Sequence, residues 1–411
     1  MAKTLAKVTL GSIIVAVFFI IISLILAPFV VRQEQVKSFI TKNVELPEGY
    51  KLKIASDINF GIFPYSFVEF AKAEITKQDG STQTIEDFLL GFTFNDLLSK
   101  GIDFDFNAKL SGKTYQGNLK IEDFKNFRSN RKSNIILTLS SPIPASLKGF
   151  IEFNDNSKKL SNFTFVHSET TARGEVEISN LKNGNAVKGN VVINTANLDE
   201  LRRLIDFENF ADTQKKLAGK AVINSQFETS GNNDMEYKKN LKAQGDFNVT
   251  SAEIYGFDIN EFLANPLNYK NQKDYSKKTI IDSITGVYNI LDGVAGITSV
   301  NAYNQTTKLI ANGNYNLLTK QIDMMSDIST NIAGQNISLP VRLEGDVNKP
   351  KVIPNVSEGL KRNLPDIINN PKLQEVINSE EGQKIINKVN KALDDAGGVD
   401  GLLQMLGGEG K

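Results

Sequence analysis

Asp103-Phe104-Asp105-Phe106-Asn107-Ala108-Lys109-Leu110 alternates polar and apolar residues without a fault. Successive side chains of a strand point to opposite faces, so this stretch reads as a strand with one wet face and one buried face. The same period recurs in Asn118-Leu119-Lys120-Ile121, Ser161-Asn162-Phe163-Thr164-Phe165 and Gly174-Glu175-Val176-Glu177-Ile178. A local unit repeats as well: Gly, a polar residue, then apolar–x–apolar. It begins at Gly117, Gly174, Gly189, Gly219, Gly245 and Gly313, at separations of 57, 15, 30, 26 and 68 residues. Spacing this uneven is not a solenoid. We read it as a Gly-permitted turn or bend leading into a one-sided strand. About sixteen such strands at hairpin spacing predict an antiparallel meander or curved open sheet rather than a parallel α/β fold.

Helical patterns are few. Residues 34–43 read as a short helix, and Asn197–Ile205 places Leu198, Leu201, Leu204 and Ile205 at helical spacing. Residues 258–264 and 279–290 read similarly. After Pro354 the character becomes helical to about residue 406, with a weak apolar stripe of Ile377, Ile385, Ile386, Val389 and Leu393. Such a stripe packs on its own domain or touches a membrane or a protein partner.

The N-terminus sets the topology. Val8 to Val31 is 24 residues without a charge, about 36 Å of helix against a hydrocarbon core of roughly 30 Å. It is longer than a signal-peptide core and has no Ala-x-Ala cleavage site. An uncleaved transmembrane anchor is therefore expected, with Ile13, Phe18, Phe19, Ile22 and Leu26 facing lipid. Lys3 and Lys7 precede it, and a large domain follows; a short basic tail stays cytoplasmic while a large domain crosses. The expected order is a cytoplasmic tail (1–7), a transmembrane helix (8–31), a juxtamembrane helix (32–50), a β domain (51–355) outside the cytoplasm and a helical tail (356–411).

The 411 residues carry 47 basic and 47 acidic side chains, which argues against a nucleic-acid partner. No Cys is present, and His167 is the only histidine. A Cys/His zinc site, an H-E-x-x-H motif and a G-x-S-x-G elbow are all missing. Asp103-x-Asp105-x-Asn107 lacks the Gly and Glu of a calcium loop, having Ala108 and Thr114 there, and Gly112-Lys113-Thr114 lacks the earlier Gly of a P-loop. Asn-x-Ser/Thr triplets such as those at Asn162 and Asn248 are expected by chance in a chain so rich in Asn. A lone strand-end His reads as structural. No enzyme, metal or cofactor is expected.

Gly61-Ile62-Phe63-Pro64-Tyr65 and the stretch to Ile75 resemble the opening of AsmA-family proteins. Ile85-Glu86-Asp87-Phe88 through Asn95-Asp96-Leu97-Leu98-Ser99-Lys100-Gly101-Ile102 is similar to that family's strand, short helix, Gly and strand. Gln244-Gly245-Asp246-Phe247, Ala252–Ile259, Thr279–Gly286, Gly313–Leu317 and Leu339–Asp346 with Lys349-Pro350 and Pro354 resemble its C-terminal signature. The likeness spans residues 1–355; from 125 to 240 it rests on strand habit alone. The N component of type II secretion systems is an alternative, with a similar anchor and Phe-Pro region.

The resemblance implies an inner-membrane protein of a double-membraned bacterium. Its periplasmic β-groove would hold or pass phospholipid acyl chains in envelope biogenesis. The apolar positions that would line it are Phe104, Phe106, Leu119, Ile121, Phe163, Phe165, Val176, Ile178, Val191, Ile193, Phe247 and Val249. A filled core that binds envelope proteins, through the C-terminal helices among other surfaces, is the rival use of the same face.

Overall fold

The computed structural model describes residues 33–43 and 50–363, apart from 62–64, 77–79, 94–99, 129–130, 155, 182–183, 206–213, 265–273, 333–334, 348–349, 356–357 and 360–361. The expected anchor (Ile13, Phe18, Phe19, Ile22, Leu26), the Pro64 turn, the short helix before Lys100 and the tail beyond 363 lie outside these residues. No helix among the described residues is long and apolar enough to cross a membrane.

Among the described residues nineteen strands form one antiparallel sheet. They are β1 (Lys51–Ile54), β2 (Ile58–Gly61), β3 (Tyr65–Thr76), β4 (Thr82–Thr93), β5 (Ile102–Leu110), β6 (Lys113–Ile121), β7 (Ser133–Ser141), β8 (Ala145–Asn154), β9 (Ser157–His167) and β10 (Thr170–Leu181), then β11 (Gly184–Thr195), β12 (Leu217–Gly231), β13 (Lys242–Tyr255), β14 (Lys278–Leu291), β15 (Val294–Tyr303), β16 (Thr307–Asn316), β17 (Gln321–Ile332), β18 (Gln335–Asp346) and β19 (Lys351–Pro354). From β3 onward each strand pairs with the next in the chain. β1 and β2 share the outer edge of β3. The end strands do not pair with each other, so the sheet is open. This is the expected antiparallel meander, with three more strands than the pattern alone suggested.

Turn chemistry explains the hairpins. Ser111-Gly112 and Asp292-Gly293 each place two successive residues at positive φ. Two-residue loops of that handedness match the twist of the strands they join.

Among the described residues five short helices decorate the sheet: α1 (Gln33–Asn43), α2 (Phe124–Arg128), α3 (Leu198–Ile205), α4 (Asp234–Lys239) and α5 (Ile259–Ala264). α1, α3 and α5 fall where the apolar spacing placed them. The helix expected over 279–290 is instead the strand β14. Its β-branched run of Thr279, Ile280, Ile281, Ile284, Thr285 and Val287 suits a pleated surface better than a helix. β13 and β15 flank it on both edges.

The repeated Gly units are corrected in part, since Gly117, Gly174 and Gly219 sit at register shifts, where a strand bends. All six glycines lie inside strands rather than at turns. Gly219, at φ +126, sits where the β12–β13 register slips between Ala218 and Lys220, a bulge. Gly117, Gly189 and Gly245 lie against aromatic rings of neighbouring strands.

Candidate functional site

All twelve expected groove residues lie on one face. The register carries a single row across fifteen strands: Phe104, Leu119, Leu137, Leu147, Phe165, Ala172, Ile193, Ile223, Phe247, Gly286, Val300, Ala311, Ser326, Val341 and Pro354. Phe106, Ile121, Phe163, Val176, Ile178, Val191 and Val249 stand on the same face in flanking rows. The alternation in each strand thus adds up to one continuous apolar surface, because antiparallel pairing keeps partners on the same side.

That surface changes character along the sheet. In β1–β9 it is a filled core. Phe70 and Phe88 stack at 4.5 Å, and Phe92, Phe104, Phe124 and Phe127 run on to Phe153 at centroid distances of 5.3–6.4 Å. α1 closes it with Val36 and Ile40, one helical turn apart, and α2 closes it with Phe124 and Phe127. Phe104, Phe106, Leu119, Ile121 and Phe163 are buried here. In β10–β13 the corresponding side chains Val176, Ile178, Val191, Ile193 and Phe247 are only half-buried, as is Phe165 at the boundary. Val249 is buried in a small second core with Ala221, Ala252, Ile281 and Ala302.

Small residues floor this second half: Ala172, Gly174, Gly189, Ser225, Ala243, Gly245, Gly286, Ala295, Ala311 and Gly313 share the apolar face. Its aromatic rings lie over the glycines. A Cβ on Gly286 would fall 2.4 Å from the Phe247 ring, and one on Gly245 would fall 2.6 Å from the Tyr288 hydroxyl. A ring laid flat across the next strand covers backbone without rising from the sheet. The second half is therefore a shallow apolar trough.

At the far end the trough deepens into a cavity of about 390 Å³. α5 stands over it, with Phe262 at 1% exposure in a third core of Ile259, Ile328 and Val341. Phe257, Leu309, Leu343 and Val352 complete most of the apolar wall, and Lys216, Tyr255 and Tyr275 supply its polar side. The Thr279 hydroxyl donates to the Phe257 carbonyl at 2.8 Å and accepts from the Ile259 N–H at 3.0 Å, which fixes the start of α5. The volume falls within the roughly 300–1,000 Å³ range of ligand pockets. The sequence reading missed this wall. Its residues come from α5 and from strands β16–β19, which no local pattern brings together.

The opposite face is wet. Glu152, Lys159, Glu177, Lys188, Glu228 and Lys242 form one cross-strand row of alternating sign. Lys188 pairs with Glu177 at 3.3 Å and Lys242 with Glu228 at 3.2 Å. Opposite charges directly across a ladder are favourable. They also leave no net charge to attract a polyanion.

His167 is buried at the end of β9. Its Nδ1 donates to the Pro144 carbonyl at 2.6 Å, and its Nε2 lies 2.9 Å from Glu200 of α3. The pair ties α3 to the sheet at the boundary between the two halves. Its partner could not be found from spacing, since 33 residues separate them.

Among the described residues no cluster of His, Cys, Asp or Glu is arranged to hold a metal ion. The fold and site define an open antiparallel meander with one apolar face, half filled and half bare. No family model, curated protein or solved structure matches the chain. The AsmA resemblance therefore rests on the quoted motifs.

Proposed function

We propose that this chain is a single-pass inner-membrane protein of a double-membraned bacterium, and that its periplasmic β-sheet holds or passes phospholipid acyl chains in envelope biogenesis. One observation carries the reading. The apolar face runs from β5 to β19, yet beyond β9 much of it is only half-buried, apart from two small cores. Leaving Val176, Val191, Ile193 and Phe247 only half-buried forgoes about 25 cal/mol for each Å² left in water. Extended bare apolar surface marks an interaction site. A trough one sheet wide, floored by Ala and Gly and ending in an apolar cavity, suits flexible hydrocarbon chains better than a rigid planar ligand. The uncharged run from Val8 to Val31 would hold the filled end of the sheet, where α1 packs, at the membrane. Nothing in the reading requires catalysis.

The test is lipid extraction from the full chain, purified in detergent, followed by mass spectrometry. Phospholipid should co-purify in stoichiometric amount, and Ala295→Phe, which adds a ring above the trough, should lower it several-fold. Lipid-free protein, or lipid unaffected by filling the trough, would overturn the reading. A second reading, an envelope scaffold that binds proteins, draws on the filled core of β1–β9. It expects a protein partner and no lipid in the same preparation.

A further inference from the structure

β18 is twelve residues long, but its outer neighbour β19 covers only Val341–Glu344. An uncovered strand edge presents unpaired N–H and C=O groups that template another chain. Alternate residues of a strand point these groups to the same edge. Between positions 338 and 344 of the outer edge of β18 they belong to Ser338, Pro340, Arg342 and Glu344. Arg342 and Glu344 lie in the register of β19, opposite Ile353 and Lys351. Pro340 has no N–H to offer, and its carbonyl accepts from the Asn355 N–H at 2.8 Å.

Ser338 is satisfied differently. One side chain takes both of its groups. The Ser338 N–H donates to Asn363 Oδ1 at 2.8 Å, and the Ser338 carbonyl accepts from Asn363 Nδ2 at 2.7 Å. A carboxamide carries the same donor and acceptor as a peptide unit, so Asn363 stands where the next strand residue would be. It is 7% exposed. Its neighbour Arg362 pins the segment, bonding Glu358 at 3.0 Å and Asp327 of β17.

We propose that Asn363 is an edge plug that keeps the sheet from extending, by strand addition, into a second copy of this chain. A second copy is the occupant because the bared edge is self-complementary. Two Ser338 residues related by a two-fold axis exchange both hydrogen bonds of an antiparallel pair. Pro340 shortens any such pairing by withholding one donor per copy. The other end of the sheet uses a similar device. In the gap between β1 and β2, Lys72 of β3 donates its N–H to Ser56 Oγ at 3.0 Å, and its carbonyl accepts from the Ala55 N–H at 2.9 Å.

The chain contains no cysteine, so one introduced thiol reports contact between copies. A hydrogen-bonded antiparallel pair holds its Cα atoms about 5.5 Å apart, within disulfide range. The full chain carrying Ser338→Cys, in detergent under mild oxidation, should give no more dimer than Thr298→Cys, an exposed control. Adding Asn363→Ala should raise the dimer yield several-fold, and adding Pro340→Val as well should raise it further. Asn363→Asp keeps the acceptor but loses the donor, so its yield should fall between. If Asn363→Ala and Asn363→Asp, verified as folded by circular dichroism, both stay at the control yield across a tenfold concentration range, the proposal is overturned. Should Asn363→Ala fail to fold, Asn363→Asp alone decides in the same way.

Discussion

Phe104 and Phe247 stand in the same cross-strand row of the same sheet, yet one is fully buried and the other half-exposed. The neighbours account for the difference. Phe104 meets Phe92 and Phe124, while Phe247 lies over Gly286. Large residues on facing strands fill the space above a sheet. Aromatic rings alternating with Gly and Ala leave that space empty. One binary pattern, apolar in and polar out, thus supports a core in β1–β9 and a trough in β10–β19, and residue volume decides which.

Truncating the two rings should separate the halves most widely. Phe104→Ala removes a fully buried side chain and should cost about 3–5 kcal/mol. Phe247→Ala should cost roughly 1 kcal/mol, since its ring already meets solvent and little cavity forms. Denaturant unfolding of the full chain reads both. Equal costs would break the distinction between core and trough.

The glycine positions test the floor of the trough. Gly245→Ala would put a Cβ 2.0 Å from the Asn224 carbonyl oxygen, with Tyr288 overhead. Backbone or ring must shift, at about 1–3 kcal/mol. Gly296→Ala, on the wet face with its nearest contacts at 3.5 Å and 3.6 Å, should be close to neutral by the same measurement. A neutral Gly245→Ala would mean that the rings are not packed on the glycines.

This also marks how far the sequence could be read. Alternation at Phe104, Phe163 and Phe247 revealed the strands and put all twelve expected residues on one face, because period two is a local property. What filled that face was not readable. Phe104 and Phe247 have the same spacing in the chain, and their partners are set by register over tens of residues. The glycines misled for the same reason: Gly245 reads as a bend until Tyr288, 43 positions away, is placed across from it. Residues 279–290 misled in another way. Ile280, Ile281, Ile284 and Val287 satisfy helical spacing, and pairing with the two flanking strands overrides it. The wall beneath α5 is assembled from five elements and had no local signal.

Filling the trough should matter less for stability than for ligand. Ala295→Phe adds a ring above a half-exposed stretch of β15, where there is room for it, and should change stability by less than about 1 kcal/mol. Ala108→Phe, in the filled core at 4% exposure, should cost about 1–3 kcal/mol through overpacking. Phospholipid recovered per mole of protein should fall several-fold for Ala295→Phe. If Ala295→Phe destabilises as much as Ala108→Phe, the second half is as closed as the first.

The smallest expected effect lies at the boundary. α3 covers the start of the trough with Leu198 and Leu201, and Asp199 anchors it. Burial pushes the Asp199 carboxyl up, but this is outweighed by hydrogen bonds from the Arg202 side chain at 3.0 Å and the Lys216 N–H at 3.1 Å, so the group sits below its ordinary value. A carboxyl whose folded pKa is depressed contributes stability that is fully present above the unfolded value, about 3.9, and lost as pH falls through the folded value. Glu74, Glu86, Glu175, Glu253 and Asp323 are also held low by basic partners, so a global unfolding curve would blend several groups. Amide hydrogen exchange within α3 narrows the reading to Asp199 and to Glu200, which pairs with His167, and the Asp199→Asn variant separates the two. After correction for intrinsic rates, protection of Leu201–Ile205 should fall between about pH 5 and pH 3 in the parent. In Asp199→Asn it should be lower at neutral pH and nearly flat over that interval. Unchanged protection in the parent down to about pH 3 would show that contacts other than Asp199, Leu198 on the second core among them, hold α3 over the mouth of the trough.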